Sequence, residues 1–186
     1  MSIDLLRSRK YYALLLICAC LALFLSSGCA FHYANQTSLD RSQIQEEKIR
    51  RIAVLAFDNP PLNLQAGMHI SRLFELYLLR TGLYKMAERG EVESILRERG
   101  IMISPAGPMV NLQQLGEVLQ VDGIVLGSVS QYYRRDMAFT ARLVSVKSGL
   151  VLWSVSETGG NLFLSVSSVA ERAVRLAVGD LQARLR

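Results

Sequence analysis

Beyond residue 50, apolar positions recur along the chain with two distinct periods. Ile52-Ala53-Val54-Leu55-Ala56-Phe57 follows Arg51 as an unbroken apolar run and stops at Asp58-Asn59-Pro60-Pro61. A short run closed by turn residues predicts a strand buried on both faces, in the middle of a sheet. Between Ala66 and Arg80 the spacing changes: Ile70, Leu73, Phe74, Tyr77 and Leu78 fall on one helical stripe, and Gly82 follows as a C-cap. Leu83 to Ala87 reads as a second strand. Val92, Ile95 and Leu96 mark a short amphipathic helix after Glu88-Arg89-Gly90, and Pro105, Gly107 and Pro108 make 102–110 a loop. Asn111, with Gln114 three residues on as in a capping box, opens a helix through Leu115, Val118 and Leu119.

From Gly123 the period is that of strands. Gly123 to Tyr132, Met137 to Val146 and Leu150 to Thr158 are rich in Val, Ser, Thr, Tyr, Phe and Trp, and only Arg134-Arg135-Asp136 and Lys147-Ser148-Gly149 separate them. Connections this short require antiparallel hairpins. A final helix carries Val166, Val169, Ala170, Ala173, Val174, Ala177 and Leu181 on one stripe, suited to cover a face of the sheet, with Trp153 packed beneath it. The element order β-α-β-α-α-β-β-β-α predicts an α/β (α+β sandwich) fold on a mixed five-stranded sheet, with the helices packed on it.

The N-terminal region follows different rules. Arg7, Arg9 and Lys10 precede an uncharged apolar run from Tyr11 to Leu25, which ends at Ser26-Ser27-Gly28-Cys29-Ala30. A basic segment, an apolar segment and a small-residue exit spell an export signal. The run is shorter than the roughly 20 apolar residues of a bilayer span. Cysteine immediately after Ser-Ser-Gly resembles the lipobox of bacterial lipoproteins, with Ser26 standing where an aliphatic residue is usual. The resemblance implies cleavage between Gly28 and Cys29 and acylation of Cys29; an ordinary signal peptide or an uncleaved anchor is the competing reading. It also implies export to the outer membrane, periplasmic face, because Ala30 rather than Asp follows the cysteine. From Ala30 to Lys48 the composition turns polar, so residues 29–50 read as a lipidated N-terminus and tether, with a short helix allowed from Ser42 to Ile49. The domain proper is 51–186.

Composition narrows the chemistry. Cys18 and Cys20 lie in the signal and Cys29 is consumed by lipid, so the processed chain has no thiol for a disulfide or a metal. The net charge is +5, of which Arg7, Arg9 and Lys10 against Asp4 supply +2; the remaining +3 is not clustered, so no nucleic-acid partner is expected. His32 and His69 are the two histidines, and neither lies in a nucleophile or ligand motif. Glu91, Glu93 and Glu98 beside Arg97 and Arg99 read as a solvated helix face. Gly127-Ser128 and Gly159-Gly160 lack the lysine and glycine spacing of phosphate loops. The expectation is no catalysis, no metal and no cofactor beyond the lipid on Cys29.

Four blocks carry a family resemblance: Ile52 to Phe57, Tyr84 to Arg89, Val121 to Val129 and Ala141 to Ser154. Their order resembles that of the curli secretion-channel (CsgG-like) family, to which the penicillin-binding-protein activator lipoproteins and the N-terminal part of TolB are similar. The resemblance implies a periplasmic domain that works by contact with other envelope proteins or by forming homo-oligomers. It departs from the curli channel where that protein carries membrane-crossing hairpins. The connections 132–137 and 157–161 are too short to supply strands of roughly 9 to 11 residues across a bilayer.

The remaining candidate is a contact site. Tyr132, Tyr133, Arg134 and Arg135 cluster at a hairpin tip, and aromatic and Arg side chains are the types enriched at binding hot spots; cross-strand packing by the tyrosines is the other reading. The 102–110 loop serves equally as a partner edge or a connector. Two functions therefore stay open: a non-catalytic assembly or secretion factor, and a regulatory lipoprotein that activates a peptidoglycan synthase.

Overall fold

The computed structural model describes residues 32–104, 107–108 and 111–185. The signal segment, Gly28 and Cys29 lie outside the described residues, as do positions 105–106 and 109–110 of the predicted loop. His32–Arg186 forms one compact unit.

The main sheet has six strands, one more than the hydrophobic pattern predicts. The addition is β1 (His32–Leu39), in the polar stretch read from sequence as tether. It pairs antiparallel with β8 (Val151–Gly160) along its whole length, from His32 opposite Gly160 to Leu39 opposite Trp153. Such a strand is invisible to a hydrophobicity pattern because backbone hydrogen bonds hold it to the sheet, and Asn35, Gln36, Thr37 and Ser38 need no apolar face to make them. Helix α1 (Arg41–Glu47) follows, with the Asp40 side chain accepting from the Gln43 N–H and Lys48 ending it at φ 52°.

The expected elements then appear in order, β2 (Arg51–Val54), α2 (Ala66–Thr81), β3 (Lys85–Met86), α3 (Arg89–Glu98), α4 (Leu112–Leu119), β6 (Gly123–Tyr133), β7 (Asp136–Ser145), β8 and α5 (Val166–Leu185), and the stretch read as a loop between α3 and α4 adds a small antiparallel ribbon of β4 (Ile103–Ser104) and β5 (Gly107–Pro108). Strand order is β1-β8-β7-β6-β2-β3. β2 runs parallel to both β3 and β6, because helical crossovers join them; β6, β7, β8 and β1 are antiparallel. Ile52, Ala53 and Val54 are all buried, as a strand covered on both faces requires. Gly82 closes α2 in the left-handed conformation at φ 66° and donates its N–H to Leu79 O.

Helices lie on both faces. On one, α2 and α5 cover an aromatic centre in which Phe74 stands 5.3 Å from Phe57, 5.5 Å from Phe139 and 6.2 Å from Trp153, ring centre to ring centre. The predicted α5 stripe from Val169 to Leu181 is buried there. On the other face, Val92 of α3 with Leu115 and Leu119 of α4 packs on Ala53, Leu55, Ile124, Leu126 and Val144. These two helices reach only as far as the first half of β6 and the end of β7 that pairs with it. Among the described residues, no helix covers the rest of that face, toward β8 and β1.

Arg89 ties α3 to α2. Its guanidinium meets both Glu75 oxygens, at 2.7 and 3.0 Å, and donates to Ser71 Oγ at 3.0 Å. Burial pushes the Glu75 carboxyl above its usual range, even with Arg89 pulling it down. At the far end, Asp122 accepts the N–H groups of Arg50 and Arg51 and fixes where β2 begins.

Candidate functional site

Three surfaces carry the chemistry. The first is the β6–β7 hairpin tip picked out from sequence. Tyr133 pairs with Asp136 across a two-residue turn in which Arg134 adopts φ 54°. Strand alternation sends the neighbouring tyrosines opposite ways. Tyr132 is buried; its ring stands 5.9 Å from His69 of α2, and its hydroxyl is 3.3 Å from Ser167 Oγ of α5. It therefore locks the first turns of both helices to the sheet. Tyr133 points outward, 55% exposed, with the Arg134 guanidinium 5.3 Å above its ring. Arg134 and Arg135 are exposed as well. The structure thus brings Tyr133, Arg134 and Arg135 together at the surface and places Tyr132 in the packing. His69 Nε2 has no hydrogen-bond partner among the described residues.

The second surface is the uncovered part of the sheet. Gln36 and Ser38 of β1, Ser154 and Ser156 of β8, Thr140 of β7 and Ser128 of β6 line a trough of about 500 Å³, with Arg142 and Asp58 at its edge. Ser128 and Thr140 hydroxyls bond each other at 3.0 Å. Burial raises the Asp58 carboxyl. Rows of hydroxyl and amide groups donate and accept neutral hydrogen bonds, which suits an extended polar chain. Sequence reading missed this trough, although Ser154, Ser156 and Thr158 alternate with Val155 and Glu157 in the way a half-solvated strand does.

The third is the outer edge of β1. Among the described residues, β8 is its sole partner strand. An eight-residue edge presents a row of unpaired N–H and C=O groups, and its polar side chains leave them accessible. At the other end of the sheet β3 has two residues and offers little to pair with.

Among the described residues, no group of three or more His, Cys, Asp and Glu could hold a metal ion, and no helix is long and apolar enough to cross a membrane. The structure therefore defines a helix-flanked α/β domain whose functional groups lie on open surfaces. Residues 49–137 match the family described as curli production assembly/transport component CsgG, so that stretch is CsgG-like; it includes the first three of the four sequence blocks, and the fourth, Ala141 to Ser154, lies beyond it. Among solved structures, the PelC dodecamer from Paraburkholderia phytofirmans superposes with a TM-score of 0.55 at 18% identity, covering 81% of this chain and 98% of that one. Lipoprotein GNA1162 from Neisseria meningitidis gives a TM-score of 0.56 at 18% identity, covering 72% and 99%. At these identities the likeness is one of fold. No curated protein matches the sequence.

Proposed function

We propose that the chain is an outer-membrane lipoprotein, anchored through acylated Cys29 at the periplasmic face, that acts without catalysis as an envelope assembly or secretion factor by binding other proteins and copies of itself. The observation that carries this reading is the outer edge of β1, which pairs along its length with no strand among the described residues and begins three residues after Cys29. An exposed strand edge recruits another chain through backbone hydrogen bonds. The dodecameric assembly named for PelC, which shares the fold, supports oligomer formation here.

The alternative, activation of a peptidoglycan synthase, needs reach. Only Ala30 and Phe31 separate Cys29 from β1, and a fully extended chain spans about 3.5 Å per residue, so the domain stays within about 10 Å of the acyl anchor. This spacing favours a factor that works at the membrane surface.

The test is the mass of the processed lipoprotein in mild detergent, by light scattering or native mass spectrometry. The expected result is a discrete oligomer that Thr37→Pro dissociates, because that substitution deletes an outward-pointing N–H. A monomeric wild type, or an oligomer indifferent to proline at both 35 and 37, overturns the reading.

A further inference from the structure

Six large apolar side chains are exposed at one end of the sheet. Leu62 and Leu64 are 86% and 79% exposed in the loop that enters α2; Leu162, Phe163 and Leu164 are 69%, 75% and 38% exposed between β8 and α5; Tyr133 caps the hairpin at 55%. Among the described residues, the other exposed large apolar side chains are spread elsewhere: Leu76, Leu79 and Leu176 on the outer faces of α2 and α5, Leu150 and Val151 at the β7–β8 turn, and Met102 after α3.

The contacts between elements fix which end this is. Asn161 N–H donates to Arg135 O, so the β8–α5 loop lies against the hairpin tip. Ring contact between His69 and Tyr132 brings the start of α2 to the same level, and the Ser167 contact with Tyr132 brings the start of α5. β1 enters there too, since His32 pairs with Gly160, two residues before Leu162.

We infer that this end is a membrane-docking pole: Leu62, Leu64 and the Leu162-Phe163-Leu164 loop insert into the leaflet that holds the acyl chains, with Tyr133, Arg134 and Arg135 at the headgroups. The inference rests on acylation of Cys29. It takes its occupant from where the described chain begins, because an acylated residue three positions before His32 holds this end within about 10 Å of the lipid. Contiguous exposed apolar residues mark an interaction surface. Aromatic rings with one polar tip, and arginines whose stems lie along apolar surface, are the side chains that settle at a bilayer interface. Insertion by roughly 5–10 Å buries a loop of this size without unfolding its neighbours. The charges at the pole are Arg134, Arg135 and Asp136, so the apolar residues supply most of the affinity and salt affects it weakly.

The experiment uses the full processed lipoprotein reconstituted in phosphatidylethanolamine and phosphatidylglycerol vesicles. Phe163→Cys, Leu62→Cys and, as a control at the β7–β8 turn, Ser148→Cys each carry one environment-sensitive fluorophore, with Cys29 blocked by lipid. Nitroxides on the acyl chains are the quenchers, and flotation of the vesicles reports anchoring independently. The expected result is flotation of all variants, with labels at 163 and 62 blue-shifted and quenched several-fold more than at 148. Flotation with equal quenching at 163 and 148 overturns the docking pole while leaving the anchor in place, as does a label at 163 shielded from water by protein rather than lipid. Failure of the wild type to float overturns the anchor first and the pole with it.

Discussion

Proline substitution tests whether residues 32–39 form an integral strand. Leu39 lies opposite Trp153, and Asp40 N–H donates to Leu152 O at 3.1 Å. In an antiparallel ladder bonded and non-bonded pairs alternate, so the N–H groups of Gln36 and Ser38 point at β8, and those of Asn35 and Thr37 point away from the sheet. Proline removes the N–H and holds φ near −65°. In Gln36→Pro the lost ladder bond costs about 1 kcal/mol net, and a Ser156 carbonyl left without its donor, together with the ring crowding β8, adds about 1–2 kcal/mol. Thr37→Pro loses no ladder bond, and edge strands accept proline whose missing N–H faces outward, so it costs under about 1 kcal/mol. Urea unfolding of the protein in detergent, diluted until wild type and variants are all monomeric, separates the two. With a slope of about 1–3 kcal/mol/M, Gln36→Pro lowers the midpoint by about 1 M, and Thr37→Pro barely moves it. The single tryptophan, Trp153, reports the transition from a site 1% exposed and directly opposite Leu39. Equal midpoints for the two variants, or no shift in either, would refute the strand and return 32–39 to a tether.

Three further outcomes follow from the packing. Arg89→Met leaves the half-buried Glu75 carboxylate without its bidentate partner and lowers stability by about 2–3 kcal/mol; adding Glu75→Gln restores part of the loss, measured as a double-mutant cycle in urea. Gly116→Ala favours helix locally, but its methyl would overlap the Val146 side chain, so the melting temperature falls by the equivalent of about 1–3 kcal/mol, and Val146→Ala in the same chain recovers it. Burial raises the Asp58 carboxyl in the folded state, so the fold binds a proton more tightly than the unfolded chain, and this group's penalty shrinks as pH falls through the raised value. Asp58→Asn is therefore slightly more stable than wild type at pH 7, and thermal melts from pH 7 to pH 4 should show the advantage disappearing.

What the sequence made legible depended on whether side chains or backbone carried the signal. The β2 run, the α2 and α5 stripes and the β6–β8 meander all bury side chains at a fixed period, and each formed within a few residues of its expected bounds. β1 does not. Its Asn, Gln, Thr and Ser side chains serve an edge strand as well as a linker, and the backbone ladder that selects the strand lies in β8, more than a hundred residues away. The Arg89–Glu75 pair was hidden too: its residues are only 14 apart, but they sit on different helices and meet only once those helices pack. Asn111 caps α4 as expected, but it accepts from the Gln113 N–H, and Gln113 reaches the Lys147 carbonyl, an arrangement set by the β7–β8 turn. At the hairpin tip, period-two alternation was enough to separate Tyr132 from Tyr133; which of them faced the helices required the helices to be in place.

A single bilayer limits how such an edge can be used. Antiparallel pairing of β1 with β1 of a second copy would reverse one domain and put the two chain entries, at His32, on opposite ends of the joined sheet. If Cys29 is acylated as proposed, copies held in one leaflet could not do that, because each entry would lie within about 10 Å of its lipid. Nor does the β3 edge offer an eight-residue match for β1, having two residues. Copies anchored in that way would stand in the same orientation relative to the membrane and would meet through unlike surfaces, the β1 edge of one against a different face of the next. Head-to-tail contacts of this kind close into rings when the rotation between copies divides a full turn. The polar character of β1 fits such a role. With Asn35, Gln36, Thr37 and Ser38 on it, the edge attracts through backbone groups alone, so stable pairing requires a partner held in register rather than any apolar strand met in transit.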